Sequence, residues 1–155
     1  MGSLGMLSTV AVIDRVLGSG ATGHADVREQ LRAANEAAWA ATSPRLLELC
    51  RVRVASMLRC DVETLSRTPG TGADEALLDA IATWPGDPRL TEVDRACLAF
   101  TEMFVLDVAS MDDETVAAVR EHLGDAGLAN FVRALLIVEQ RIRLRLVWDR
   151  LLGGD

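Results

Sequence analysis

Apolar residues in this chain recur every three or four positions almost from end to end, and no convincing run alternates apolar with polar side chains. A chain with that period can bury its apolar stripes only by packing helix against helix, so the sequence predicts an all-α fold. Its 155 residues suit one domain with a sizeable core. Helices are expected over residues 8–17 and 25–40, the second turning Val27, Leu31, Ala34 and Ala38 to the core. Between them, Gly18-Ser19-Gly20 begins a flexible linker reaching Gly23, too irregular to cradle a phosphate. Ser43 can cap a helix with Pro44 in its first turn, and residues 44–58 then carry Leu46, Cys50, Val54 and Met57 on one face.

Further short helices are expected over residues 61–66 and 74–83. Thr91 and Asp94 have capping-box spacing and open a helix to about residue 107, its core face Val93, Cys97, Phe100, Phe104 and Val108. Ser110 and Asp113 repeat that spacing ahead of residues 115–123, which stop at Gly124. Asp125 begins the longest helix, to about residue 148; its Arg-Ile-Arg-Leu-Arg-Leu run alternates but sits inside a helical pattern. Arg143 there points away from Arg141 and Arg145, which suggests ion pairs between subunits or an arginine facing a pocket.

Composition removes several functions. All sixteen basic residues are arginines, so there is no lysine for a Schiff base or a phosphate loop, and tyrosine is absent. A net charge of −7 argues against nucleic-acid binding, which needs a basic surface. No segment has the about 18 consecutive apolar residues that a membrane helix needs. Residues 6–17 are apolar, but no positive charge precedes them and Asp14 and Arg15 interrupt them, which does not suit a signal peptide. Three scattered cysteines make no disulfide framework, and the expected location is the reducing cytoplasm. Half the residues are hydrophobic, which points to a subunit interface as well as a core. His24 and His122 neighbour no metal-ligand pattern, so no metal site is expected.

The stretch from Glu48 to Arg67 resembles the core of the alkylhydroperoxidase D-like and carboxymuconolactone decarboxylase family. In that family a glutamate-bearing helix leads into a cysteine that opens the next helix, followed by a second cysteine three residues on and a histidine four beyond that. Glu48 and Cys60 fall at matching positions; Glu63 stands where the second cysteine would be and Arg67 where the histidine would be. Residues 70–75, 89–96 and 112–123 are similar to later parts of the pattern, so the resemblance covers residues 43–152. It implies a helical core over residues 43–155 behind an extension of residues 1–42. It also implies a homo-oligomer, a trimer or hexamer, that needs no metal or organic cofactor.

The degenerate motif leaves three readings. In the first, Glu48 moves protons and Arg67 clamps the anion of a small organic acid or carbonyl substrate, with Glu63 beside them, in a cofactor-free decarboxylase, lyase or isomerase. Substituting Glu48→Gln is then expected to abolish turnover and leave folding intact. In the second, Cys60 is a peroxidatic thiol activated by its helix N-terminus, although Asp61 opposes this. Cys50 could not resolve its sulfenic acid: ten residues along one helix span roughly 15 Å, beyond the roughly 7 Å limit for a disulfide. In the third, the chain is a catalytically silent oligomer that binds a ligand or partner. Blander alternatives stand beside each: Cys60 as buried packing, Glu48 in a solvated row with Arg45 and Arg51, and Glu63 paired with Arg67 on a helix surface.

Overall fold

A computed structural model describes residues 24–152, which leaves the helix expected over residues 8–17 and its glycine linker outside the described residues. Six helices and one 3₁₀ turn follow in order, with no strand among the described residues. Helix α1 is His24–Ala41, α2 Pro44–Met57, α3 Asp61–Leu65, α4 Glu75–Thr83 and α5 Glu92–Leu106; Val108–Ser110 is the 3₁₀ turn and α6 is Asp113–Leu152. Inside α6 the residue Gly124 leaves the helical region at φ 71°, so 113–123 and 125–152 are two helical stretches joined end to end. That positive φ is where a glycine ends a helix at least cost. The alternating arginines of 141–146 lie within the second stretch, as their setting predicts.

Local chemistry sets most boundaries. Ser43 accepts from the Leu46 N–H with Pro44 in the first turn of α2, and Asp74 accepts from Leu77 N–H at the start of α4. Thr91 and Asp94 form the full reciprocal capping box of α5. The second expected box does not form. Ser110 instead donates to Asp107 within the 3₁₀ turn, and it is Asp112 that accepts from Thr115 N–H at the start of α6.

Helix α2 is the centre of the molecule, packed against α5 and α6 and, on its other side, α3 and α4. Leu46, Leu47, Cys50, Val54 and Ala55 belong to the main core with Cys97, Phe100, Phe131, Leu135 and Ile142. Leu49 and Val52 face the opposite way into a smaller cluster with Leu78 and Ile81. Cover on both sides buries α2 continuously from Leu46 to Val52, Glu48 and Arg51 included, while Arg45 and Arg53 keep part of their surface; of the expected stripe, Leu46, Cys50 and Val54 are buried and Met57 is only partly so. Two other expected faces change. Val27 and Leu31 of α1 are 50% and 41% exposed while Ala38 is buried, because α1 leans on α6 through its C-terminal half. Val108 is exposed because α5 stops at Leu106 and the 3₁₀ turn carries it outward.

A buried ionic cluster as candidate functional site

The end of α2 builds the site. Arg59 takes the left-handed conformation at φ 56°, Arg59 N–H bonds to Ser56 O and Cys60 N–H to Ala55 O, the double closure of a Schellman turn. The chain reverses there, and Cys60 becomes the N-cap of α3. Cys50 and Cys60 therefore do not lie along one helix, since α2 ends at Met57 between them. The reversal folds α3 back against α2, so that Glu63 faces Arg51 across the junction.

Glu48 and Arg51 are each 1% exposed. They form a two-bond fork, Arg51 Nε and Nη2 donating to Glu48 Oε2 and Oε1 at 2.8 Å each. Arg51 Nη1 also donates to the Glu63 carboxylate at 3.1 Å and to the Glu63 carbonyl at 2.7 Å, and Nη2 donates to the Ser66 carbonyl at 2.7 Å. The N–H of Thr68 completes the set by donating to Glu48 Oε1 at 3.0 Å. One guanidinium thus satisfies two buried carboxylates and two carbonyls near the end of α3. A cation there also complements the negative end of a helix.

The last helix supplies more positive charge. Arg145 is 8% exposed; its Nη1 stands 3.9 Å from Glu63 Oε1, and its Nε donates to Asp149. Arg141 places Nη2 3.8 Å from Glu63 Oε2 and donates through Nη1 to Asn35 of α1 at 2.8 Å. Both separations from Glu63 exceed a hydrogen bond, so the attraction is coulombic only. Arg143, on the outer side, pairs with Glu139.

Of the sequence candidates, Glu48, Cys60 and Glu63 meet here, and Arg67 does not. Arg67 lies on the surface, its Nε and Nη2 gripping both oxygens of Glu75 and its Nη1 the carbonyls of Thr64 and Ser66. The surface pair Glu63–Arg67 is not formed, because α3 ends at Leu65 and Glu63 turns inward. Nor is Glu48 in a solvated row, since Arg45 reaches instead to Asp94 at 2.8 and 2.9 Å. Nothing in its sequence context marks Arg51 as a site residue, and for Arg145 the sequence suggests no more than an ion pair or an arginine facing a pocket. The spacing of four between Arg141 and Arg145, with Arg143 facing away, was the available signal.

Protonation follows from these contacts. Burial pushes the Glu48 carboxyl up, but the Arg51 fork and charge and the Thr68 N–H together hold it below the ordinary carboxylate value. It stays ionised at neutral pH, which suits holding Arg51 better than shuttling protons. Burial pushes the Cys60 thiol up, the Glu63 N–H and Arg145 oppose this, and the Glu63 and Asp149 carboxylates add to it; the net shift is upward. The expected lowering by the helix terminus is outweighed. Cys50 is pushed up to about 12, chiefly by burial, and Cys97 is raised by burial and by its neighbours Cys50 and Asp94. Burial depresses the Arg141 guanidinium, with Glu63 opposing and Arg51 reinforcing.

A separate cleft of about 330 Å³ lies beside Arg45, Asp94 and His122. Its buried Asp94 and half-buried Arg45 are already paired with each other. Among the described residues no group of His, Cys, Asp and Glu is arranged to hold a metal, and no helix is long and apolar enough to cross a membrane. Compared with models of known families, with curated proteins and with solved structures, the chain finds no match.

Proposed function

We propose that the chain is a diverged relative of the alkylhydroperoxidase D-like and carboxymuconolactone decarboxylase family. In this reading it acts on a small organic acid or carbonyl compound by cofactor-free acid–base chemistry. The observation that carries the reading is the meeting of Glu48, Glu63 and Cys60 at one interior point, with Arg51, Arg141 and Arg145 around Glu63. These are the positions where the resemblance sets reactive residues. The roles shift from the sequence expectation: Glu48 fixes Arg51, and proton transfer falls to Glu63. Its carboxylate removes a proton from the carbon next to a carbonyl, arginine charge stabilises the enolate, and the carboxyl returns the proton to that carbon or, in a β,γ-unsaturated substrate whose enolate is conjugated, to the γ carbon. The exposed Leu65, Leu106 and Leu151 support the accompanying proposal of a homo-oligomer.

The thiol peroxidase reading has less support, since a peroxidatic cysteine needs thiolate character and Cys60 is shifted the other way. A silent binding protein is the second reading. It is favoured by the engagement of both Glu48 oxygens by Arg51 and Thr68.

The deciding experiment is proton exchange in heavy water. A panel of 2-oxo and 3-oxo acids is incubated with the protein, and deuterium uptake next to the carbonyl is followed by NMR. Uptake by one or more acids is expected, reduced about 100-fold or more by Glu63→Gln and unaffected by Cys60→Ser. Acids that bind without exchange would leave the silent reading standing. Activity lost in Cys60→Ser alone would return the thiol to first place.

A further inference from the structure

A carboxylate 1% exposed cannot meet a substrate, and Glu48 and Glu63 are both buried to that degree, with Arg51 between them. Acid–base work there requires some of the covering chain to lift. On one side the cover is thin. From Asp61 to Pro69 the only buried residue is Glu63, and Val62 and Leu65 of α3 are 38% and 70% exposed. Helix α3 is five residues long and packs chiefly on α2. A segment that buries so little apolar surface belongs to the low end of local stability.

Both ends of that segment are built to turn. Arg59 precedes it in the left-handed region, and Gly70 and Gly72 follow at φ 75° and 79°, with nothing within 4 Å of where a Cβ would stand. Between these ends the ties to α2 are polar. Arg51 donates to the Glu63 and Ser66 carbonyls and to the Glu63 carboxylate, and Glu48 accepts from Thr68 N–H. Water replaces such bonds once the segment lifts. On the outside Arg67 Nε and Nη2 donate to both oxygens of Glu75, the first residue of α4, at 2.7 and 2.9 Å. The two side chains are 35% and 67% exposed, so dissolved salt screens their attraction. Cys60, 2% exposed, lies at the far end from that pair, beside the Glu63 N–H.

We infer that residues 61–69 form a flap over the ionic cluster, hinged at Arg59 on one side and at Gly70 and Gly72 on the other, and clasped to α4 by Arg67 and Glu75. Lifting the flap opens Glu48, Arg51 and Cys60 to solvent, and closing it returns Glu63 to the arginines. The flap supplies the entrance that the proposed action on a small organic acid needs, and rests on that reading for what enters.

The test follows alkylation of each cysteine by iodoacetamide, a neutral reagent, in the intact folded chain, resolved by mass spectrometry. Cys50 and Cys97, fully buried in α2 and α5 outside the flap, gauge global unfolding. Cys60 is expected to react at least about tenfold faster than either. Glu75→Gln, a change at the exposed clasp, should speed Cys60 about two- to fivefold and leave Cys50 and Cys97 unchanged. Sodium chloride at about 1 M should speed Cys60 in the unaltered chain and have little effect in Glu75→Gln. Three cysteines that react together would overturn the flap. A fast Cys60 indifferent to both the variant and salt would overturn it too, because its exposure then arises elsewhere. The two proposals fail separately. Cys60 labelling that follows the clasp, without deuterium exchange on any acid, removes the enzyme reading and keeps the flap. Deuterium exchange on an acid, with Cys60 no faster than Cys50, removes the flap and keeps the enzyme.

Discussion

Arg51 is the residue on which the interior depends most. Its guanidinium bonds to Glu48, to the Glu63 carboxylate and carbonyl, and to Ser66 O, all out of solvent. Removing one member of a buried pair strands the other, at a cost of about 3–5 kcal/mol. Arg51→Met is expected to cost at least about 4 kcal/mol in a denaturant melt, because two carboxylates lose a partner. Glu48→Gln should cost about 2–3 kcal/mol, since the amide oxygen can still accept one bond. The expectation of intact folding in Glu48→Gln therefore changes: lost activity in that variant has meaning only beside its stability. Sequence pattern could not separate a buried Glu48–Arg51 pair from a surface one. The i,i+3 spacing is the same in both, and what decides is that the middle of α2 is covered on both sides, by α5 and α6 and by α3 and α4.

Elements were more legible than residues wherever a local rule sufficed. Ser43-Pro44, Asp74 and the Thr91–Asp94 box start their helices as their side-chain chemistry dictates, and Gly124 ends one. The outward face of α1 was not legible, because which stripe is covered depends on where α6 lies. The turn after α2 escaped notice too, since its left-handed position holds Arg59 where glycine is usual. That turn sets Cys60 and Glu63 in place, so it can be tested apart from the site. Arg59→Gly should be neutral or stabilise by up to about 1 kcal/mol, whereas Arg59→Val should lose about 1–2 kcal/mol. Thermal melts of both variants check this, and equal effects would show that the turn is not under backbone strain.

At the scale of the molecule, stability should fall on both sides of neutrality for separate reasons. Glu48 and Asp94 are held below their ordinary values of 4.5 and 3.8 by Arg51 and Arg45 against the cost of burial. Groups depressed in the folded state stabilise it above the unfolded value, and that contribution drains away as pH falls through the folded one. Stability should thus be flat near neutral pH and drop below about pH 4.5. Raised groups act in the opposite sense. Cys50, lifted from 9.0 to about 12, favours folding fully below pH 9, and the contribution is lost between there and about 12. With no lysine and no tyrosine in the chain, the thiols dominate that alkaline limb. Denaturant midpoints measured across pH should show it, and Cys50→Ala should flatten it; an unchanged limb would mean the thiol is not the cause.

The amide of Thr68 belongs to a loop, yet its proton is lent to Glu48 inside the ionic cluster. An amide held that way trades with solvent only when its acceptor lets go, so its isotope exchange counts openings of the cluster. The amides of Gly70 and Gly72, exposed residues of the same loop, supply the baseline. A single backbone position can therefore serve as a clock for the interior charges, readable without altering any of them.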